Sequence, residues 1–176
     1  MLVQNLRPLT FFIALGLLAT ACSTAKKSGN TTKNAPSSSA SMQLRKRIVD
    51  KAQQYVGSTY KYAGTKPSSG FDCSGFTFFV FKEFNVEVSP SSTEQSKQGY
   101  KVPLDKVKPA DLVFFGDASR IQHVAMVVER SKDGIVCVHS TTSRGVIVEN
   151  VSNSSYWKPK ILFARDVLSR LGGGGG

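Results

Sequence analysis

Apolar positions along the chain change their rhythm several times, and each rhythm predicts a different kind of structure. Leu44, Ile48, Ala52 and Tyr55 or Val56 recur at helical spacing, and Gly57 stands where such a helix would stop. A Gly-, Pro- and Ser-rich loop follows over 57–70, and then an apolar block, Phe76-Thr77-Phe78-Phe79-Val80-Phe81. Phe76, Val80 and Phe84 fit one helical face, yet six consecutive residues that favour extended backbone would also make a buried strand. Periodicity leaves both readings open. After Pro109 the pattern becomes short strands at 111–115, 123–129, 135–139 and 145–149, separated by turn signals that include Asp133-Gly134. Helices first and an antiparallel sheet afterwards predict an α+β fold.

The chain holds only two histidines, His123 and His139, and both fall in predicted strands. Strand alternation puts His123 with Ala125 and Val127 on one face, and Ile135, Cys137 and His139 likewise on one face. In an antiparallel hairpin an odd number of loop residues brings two such faces to the same side, and an even number opposes them. A two-residue Asp133-Gly134 turn would therefore separate the histidines. A five-residue loop over 130–134 sets His139 opposite Ala125 and diagonal to His123, at about 7–8 Å. That distance suits two members of a relay, so an odd loop of about five residues is the expectation.

Polarity at the N-terminus bears on compartment. Residues 1–21 carry one cation, Arg7, then the apolar stretch Phe11–Leu18, then Ala19, Thr20 and Ala21 before Cys22. This order reads as a secretory signal peptide, too short in its apolar part for a span of about 20 residues. Small residues ending in cysteine resemble a bacterial lipobox, in which Cys22 would be lipidated, although Ala19 stands where leucine is usual. An ordinary secreted chain cut after Ala21 is the alternative. Ser23 is not acidic, which favours an outer membrane in a cell with two. Residues 22–42, rich in Ser, Thr, Asn and Ala, lack the apolar content to order themselves and read as lipidated Cys22 and a flexible linker, 23–42, spanning at most about 66 Å. One domain is expected over 43–171, with an unstructured glycine tail at 172–176. The net charge of +11 suits an anionic polymer. An exported chain argues against nucleic acid as that polymer.

With Cys22 assigned to lipid, two cysteines remain. Cys137 lies in an apolar β-branched run, the setting of a small buried hydrophobe. Cys73 is flanked by Asp72 and Ser74 and is placed to be reached. A Cys/His/His zinc site has no fourth ligand or close-spaced pair to support it, and no metal or cofactor is expected.

Asp72-Cys73-Ser74-Gly75-Phe76, a downstream His123-Val124 opening a strand, and His139-Ser140 closing the next one resemble the NlpC-type peptidoglycan endopeptidases, and among them the Spr-like lipoproteins. The likeness extends through Ser58–Gly64, Pro90–Gln95, Lys108–Phe115, Tyr156–Lys158 and Ala164–Leu168, in the family's order. The resemblance implies a papain-like cysteine peptidase with the nucleophile at the N-terminus of a buried helix, which selects helix for 76–81. It implies Cys73 as a nucleophile largely in the thiolate form, His123 as base and then acid, and His139 as the residue that orients His123. Tyr60 matches a tyrosine beside the nucleophile that serves substrate or oxyanion, and Asp72 and Ser74 would line the substrate groove. Ser91 and Ala110 stand where the family often has arginine and glycine.

The implied function is hydrolysis of amide bonds in peptidoglycan stem peptides, either D-glutamyl to diaminopimelate or the cross-link, through a thioester. A monomer exported and lipid-anchored to a bacterial membrane is expected, with peptidoglycan as its partner. The alternatives are a non-catalytic wall-binding lipoprotein, or an amidase or acyltransferase of the same fold.

Overall fold

The structure is a computed structural model that describes residues 38–169. The expected signal peptide, Cys22, most of the linker and the glycine tail lie outside the described residues. Helix α1 runs Ser38–Gln53 and buries Ile48, Val49 and Ala52 along the predicted stripe. It starts six residues before Leu44, inside the stretch read as linker. The residues of that first turn are mostly exposed, so no apolar stripe signals them, and a linker composition can still be helical where Ala and Met contribute.

A two-stranded ribbon, β1 (Thr65–Lys66) and β2 (Gly70–Phe71), leads into α2 (Cys73–Lys82). Helix wins over strand at 76–81 because the segment has a cap. Asp72 is extended, and its Oδ1 accepts from the Gly75 N–H at 2.6 Å, satisfying a donor that the first turn leaves without a partner. Phe76, Val80 and Phe81 are then fully buried. Tyr55, just after α1, meets Phe71 and Phe79 edge-on, with ring centroids 5.8 and 5.1 Å away.

Following the short α3 (Ser92–Gln95) come six strands: β3 (Tyr100–Val102), β4 (Leu112–Gly116), β5 (Ile121–Ser131), β6 (Gly134–Thr141), β7 (Gly145–Asn150) and β8 (Ile161–Asp166). Their spatial order is β3-β8-β4-β5-β6-β7, and all pairs are antiparallel. Both faces of the sheet are covered. Leu112, Phe114, Val124, Met126 and Val138 join the helices in one core, while Val113, Phe115, Ala125, Val127 and Cys137 form a second with Trp157. That is why β4 reads as an unbroken apolar run rather than an alternation.

The β5–β6 hairpin departs from expectation in an instructive way. Ser131 pairs with Gly134, so the loop is the two residues Lys132 and Asp133, not five. Gly134 adopts φ +118°, open to glycine, and the tight turn lets three further residue pairs join the ladder. Parity is restored by a bulge: Glu129 pairs with Val136 but Val127 with Cys137, leaving Val128 as the extra residue. Past the bulge, Met126 pairs with Val138, and this register sets His139 opposite Ala125 and diagonal to His123. The histidines thus share a face as expected, by another device.

A buried ion network ties α1 to the sheet. The Arg45 guanidinium lies 2.6 Å from Asp111 Oδ1 and 2.6 Å from Asp166 Oδ2, and it also donates to the Pro109 carbonyl at 2.9 Å. Burial pushes the Asp111 carboxyl above its ordinary value. At Asp166 burial pushes the same way, but hydrogen bonds from Ser169 and the charge of Arg45 outweigh it and the net shift is downward.

Candidate active site

The cap on α2 decides where the Cys73 thiol sits. Besides the Gly75 N–H, Asp72 Oδ1 accepts from the Ser74 hydroxyl at 3.2 Å, and Ser74 is itself buried. Asp72 and Ser74 therefore serve the helix terminus, and neither is among the residues that line the cavity holding Cys73. Gly75 is required by close approach, since a Cβ there would collide with the Gly64 carbonyl oxygen. From below, the fully buried Gln95 holds the same turn. Its Nε2 donates to the Ser74 carbonyl at 3.1 Å, and its Oε1 accepts from the Thr77 hydroxyl at 2.9 Å.

Cys73 is half-buried and free, and Cys137 is fully buried and free. Burial pushes the Cys73 thiol above its ordinary value, and the Asp72 carboxylate adds to that. Backbone hydrogen bonding from Val124, Ser74 and Cys73 itself opposes the shift without cancelling it. Desolvation thus works against the expected resting thiolate, because a short helix N-terminus offsets only part of the cost of burying a charge. Cys137 is pushed up further by complete burial, consistent with an inert core residue.

His123 Nε2 lies 2.8 Å from His139 Nδ1. His139 Nε2 lies in turn 3.0 Å from Glu149 Oε1. Burial, and then the neighbouring His139, hold His123 well below the ordinary histidine value. Burial lowers His139 to about 4, against the upward pull of the Glu149 carboxylate. Both rings are therefore neutral at neutral pH. Trp157 closes the arrangement, stacking on His123 with centroids 4.4 Å apart and donating its indole N–H to Glu149 Oε1 at 2.9 Å.

Cys73, His123 and Tyr60 meet on one cavity of about 470 Å³, whose wall also includes Trp157 and the cations Arg144 and Lys160. His139 is not on that wall but behind His123. Tyr60 is fixed by backbone bonds on either side of it, from Lys61 N–H to the Phe71 carbonyl and from Phe71 N–H to the Thr59 carbonyl, each 3.1 Å. Its phenol is pushed above its ordinary value by burial and then by Cys73 and Asp72, so it keeps its proton. The Ser140 hydroxyl donates to the same Phe71 carbonyl at 2.7 Å, joining β6 to the residue two before the nucleophile. Among the described residues no group of three or more His, Cys, Asp or Glu side chains is placed to hold a metal ion.

Sequence reasoning missed Glu149 and Trp157. A signal for Glu149 existed in the parity rule already applied to β5–β6. Thr141 pairs with Gly145 across the three residues 142–144, an odd loop, so Glu149 pairs with Cys137 and lies diagonal to His139 on the same face. Trp157 follows β7 in an irregular segment, where no periodicity aims a side chain.

A cysteine at a capped helix start and His123, backed by His139, meet on one cavity at a helix–sheet seam, the arrangement of a papain-like cysteine peptidase scaffold. The chain belongs to the NlpC/P60 family of cysteine peptidases, whose profile matches residues 57–166. The chain is 33% identical over 176 residues to the murein DD-endopeptidase MepS/murein LD-carboxypeptidase of Escherichia coli, covering 90% of each protein. It is 37% identical over 126 residues to the gamma-DL-glutamyl hydrolase of Bacillus subtilis, spanning 69% of this chain and only 30% of that one. In structure it resembles an NlpC/P60 family protein from Bacillus cereus, with a TM-score of 0.64 and 27% identity over 70% of this chain and 40% of that one.

Proposed function

We propose that the protein is a cell-wall hydrolase that cleaves amide bonds in peptidoglycan stem peptides, with Cys73 as nucleophile, His123 as base and acid, and His139 as the residue that orients His123. The observation that carries this reading is the shared cavity of Cys73 and His123 with the His123–His139 contact of 2.8 Å behind it. Support comes also from the names of the relatives, a murein endopeptidase and a glutamyl hydrolase.

In the proposed reaction the Cys73 sulfur bonds to the amide carbonyl carbon while its proton passes to His123. With burial favouring the thiol over the thiolate, this transfer accompanies attack. The oxyanion is met by the Tyr60 hydroxyl and the Cys73 backbone N–H. His123 returns the proton to the amide nitrogen, the C–N bond breaks, and an amine departs from a thioester on Cys73. Water then adds to the thioester carbonyl and gives a proton to His123. The C–S bond breaks, the acid product leaves, and the proton returns to sulfur. Arg144 and Lys160 on the cavity wall suit a substrate that carries carboxylates, such as a stem peptide with D-glutamyl and diaminopimelyl residues.

The same proposal includes export by the leader at 1–21, lipid anchoring at Cys22, and a linker that lets a monomeric domain reach the wall from the membrane, the outer one in a two-membrane cell. Palmitate labelling of the full chain and of Cys22→Ala tests the anchor: label should vanish with the substitution. For the reaction, purified peptidoglycan is incubated with the protein and with Cys73→Ala. Soluble muropeptides should appear only with the former, and equal release by both refutes the reading.

A further inference from the structure

Glu149 lies outside the cavity wall, yet three donors converge on its Oε1: His139 Nε2 at 3.0 Å, the Trp157 indole N–H at 2.9 Å and an Arg144 guanidinium N–H at 2.8 Å. A carboxylate only accepts, so the His139 nitrogen that meets it must carry the proton. A neutral imidazole has one N–H, which leaves His139 Nδ1 as a bare acceptor. His123 Nε2, 2.8 Å away, is then obliged to donate, and the second nitrogen of His123, Nδ1, holds the only lone pair on that ring able to take a proton from Cys73. The opposite chain of tautomers would put a hydrogen on His123 Nδ1 and leave the site without a base.

We propose that Glu149 is the positioning residue of this site, setting the tautomer of both histidines through His139 and holding Trp157 in its stack on His123. Its catalytic consequence rests on the hydrolase reading above; the tautomer assignment does not. The groups facing Glu149 are His139 and Cys137 from β6, Arg144 from the β6–β7 turn, and Trp157 from the segment after β7. Cys137 and His139 are uncharged at neutral pH, so Arg144 is the one cation among these neighbours that keeps the carboxylate paired.

The test is long-range ¹H–¹⁵N spectroscopy of the full chain labelled at histidine, where only two rings contribute. Both rings should show a protonated Nε2 and a bare Nδ1 at neutral pH. In Glu149→Gln, whose amide can donate as well as accept, the His139 ring should populate the other tautomer. Its kcat on peptidoglycan should fall by about tenfold or more with KM nearly unchanged, the scale expected when a partner that fixes a histidine is lost. A wild-type His139 with its proton on Nδ1 overturns the proposal, and so does a folded Gln variant with unaltered tautomers and kcat. If the Gln variant fails to fold, the wild-type spectrum alone decides. Expected tautomers in a protein that releases no muropeptides would sink the hydrolase reading and leave this assignment standing.

Discussion

Trp157 lies against His123 with ring planes inclined by 26°, so the indole covers one face of the imidazole. The contact shields the base from water and limits its rotation. Trp157→Phe keeps an aromatic face but loses the indole N–H to Glu149, and we expect a several-fold lower kcat with the fold retained. Trp157→Ala should in addition cost about 3–5 kcal/mol of stability, the range for deleting a large buried aromatic. Steady-state kinetics and urea denaturation of the two variants check both statements.

The bulge at Val128 makes a second prediction. Deleting Val128 removes the extra residue while leaving Val127 opposite Cys137 and Met126 opposite Val138, so the Lys132–Asp133 turn would run into β5 without a bulge. His123 should then keep the face of the sheet that carries His139, because the pairs on both sides of the bulge are the ones already present. Muropeptide release should therefore survive the deletion within about an order of magnitude, and its loss from a variant that circular dichroism shows folded would contradict this reading of the bulge. Substituting Val128 with Ala keeps the residue count and should leave activity within a few-fold of the parent.

Arg45 carries the third. Replacing it with Met leaves Asp111 and Asp166 facing each other in the interior without their cation. Removing one partner of a buried ion network typically costs about 3–5 kcal/mol. Urea denaturation at neutral pH should show a loss of this size. The deficit should shrink in acid as the orphaned carboxylates take up protons.

Stability should also depend on pH through His139. Its folded value of about 4 lies below the ordinary histidine value, to which it returns on unfolding. Above about pH 6.5 neither state is protonated and the full stability is present. As pH falls from there toward 4, the unfolded chain binds a proton that the folded one refuses, and stability drops. The urea midpoint should decline across that window in the parent and decline less in His139→Asn. Because His123 is also lowered, the acid limb of kcat/KM should lie below the ordinary histidine range.

Much of this architecture was legible in the order of residues. The stripe Leu44-Ile48-Ala52 located α1, and alternation placed His123 with Val127 and Cys137 with His139 on shared faces. Other parts were hidden for physical reasons. Phe76–Phe81 satisfies helix and strand alike, and it was the Asp72 cap, a local hydrogen bond, that decided between them. The β5–β6 loop length is not legible in the sequence because a bulge and an odd loop have the same consequence for parity. Strand β8 enters between β3 and β4, and such an insertion depends on pairing between residues distant in the chain. Asp72 and Ser74 drew attention as neighbours of the nucleophile, whereas the structure uses them to cap its helix. Glu149 reads in sequence as a polar residue of an edge strand, and only the register of β7 against β6 brings it to His139.

The proposed reaction passes through a covalent bond at one sulfur. Stem peptide mixed with the protein and quenched in acid within the first turnover should yield, by mass spectrometry, a Cys73 peptide heavier by the acyl fragment and sensitive to hydroxylamine. Turnover that continues with Cys73 unmodified at every quench time, or an acyl group found on any other residue, would contradict it.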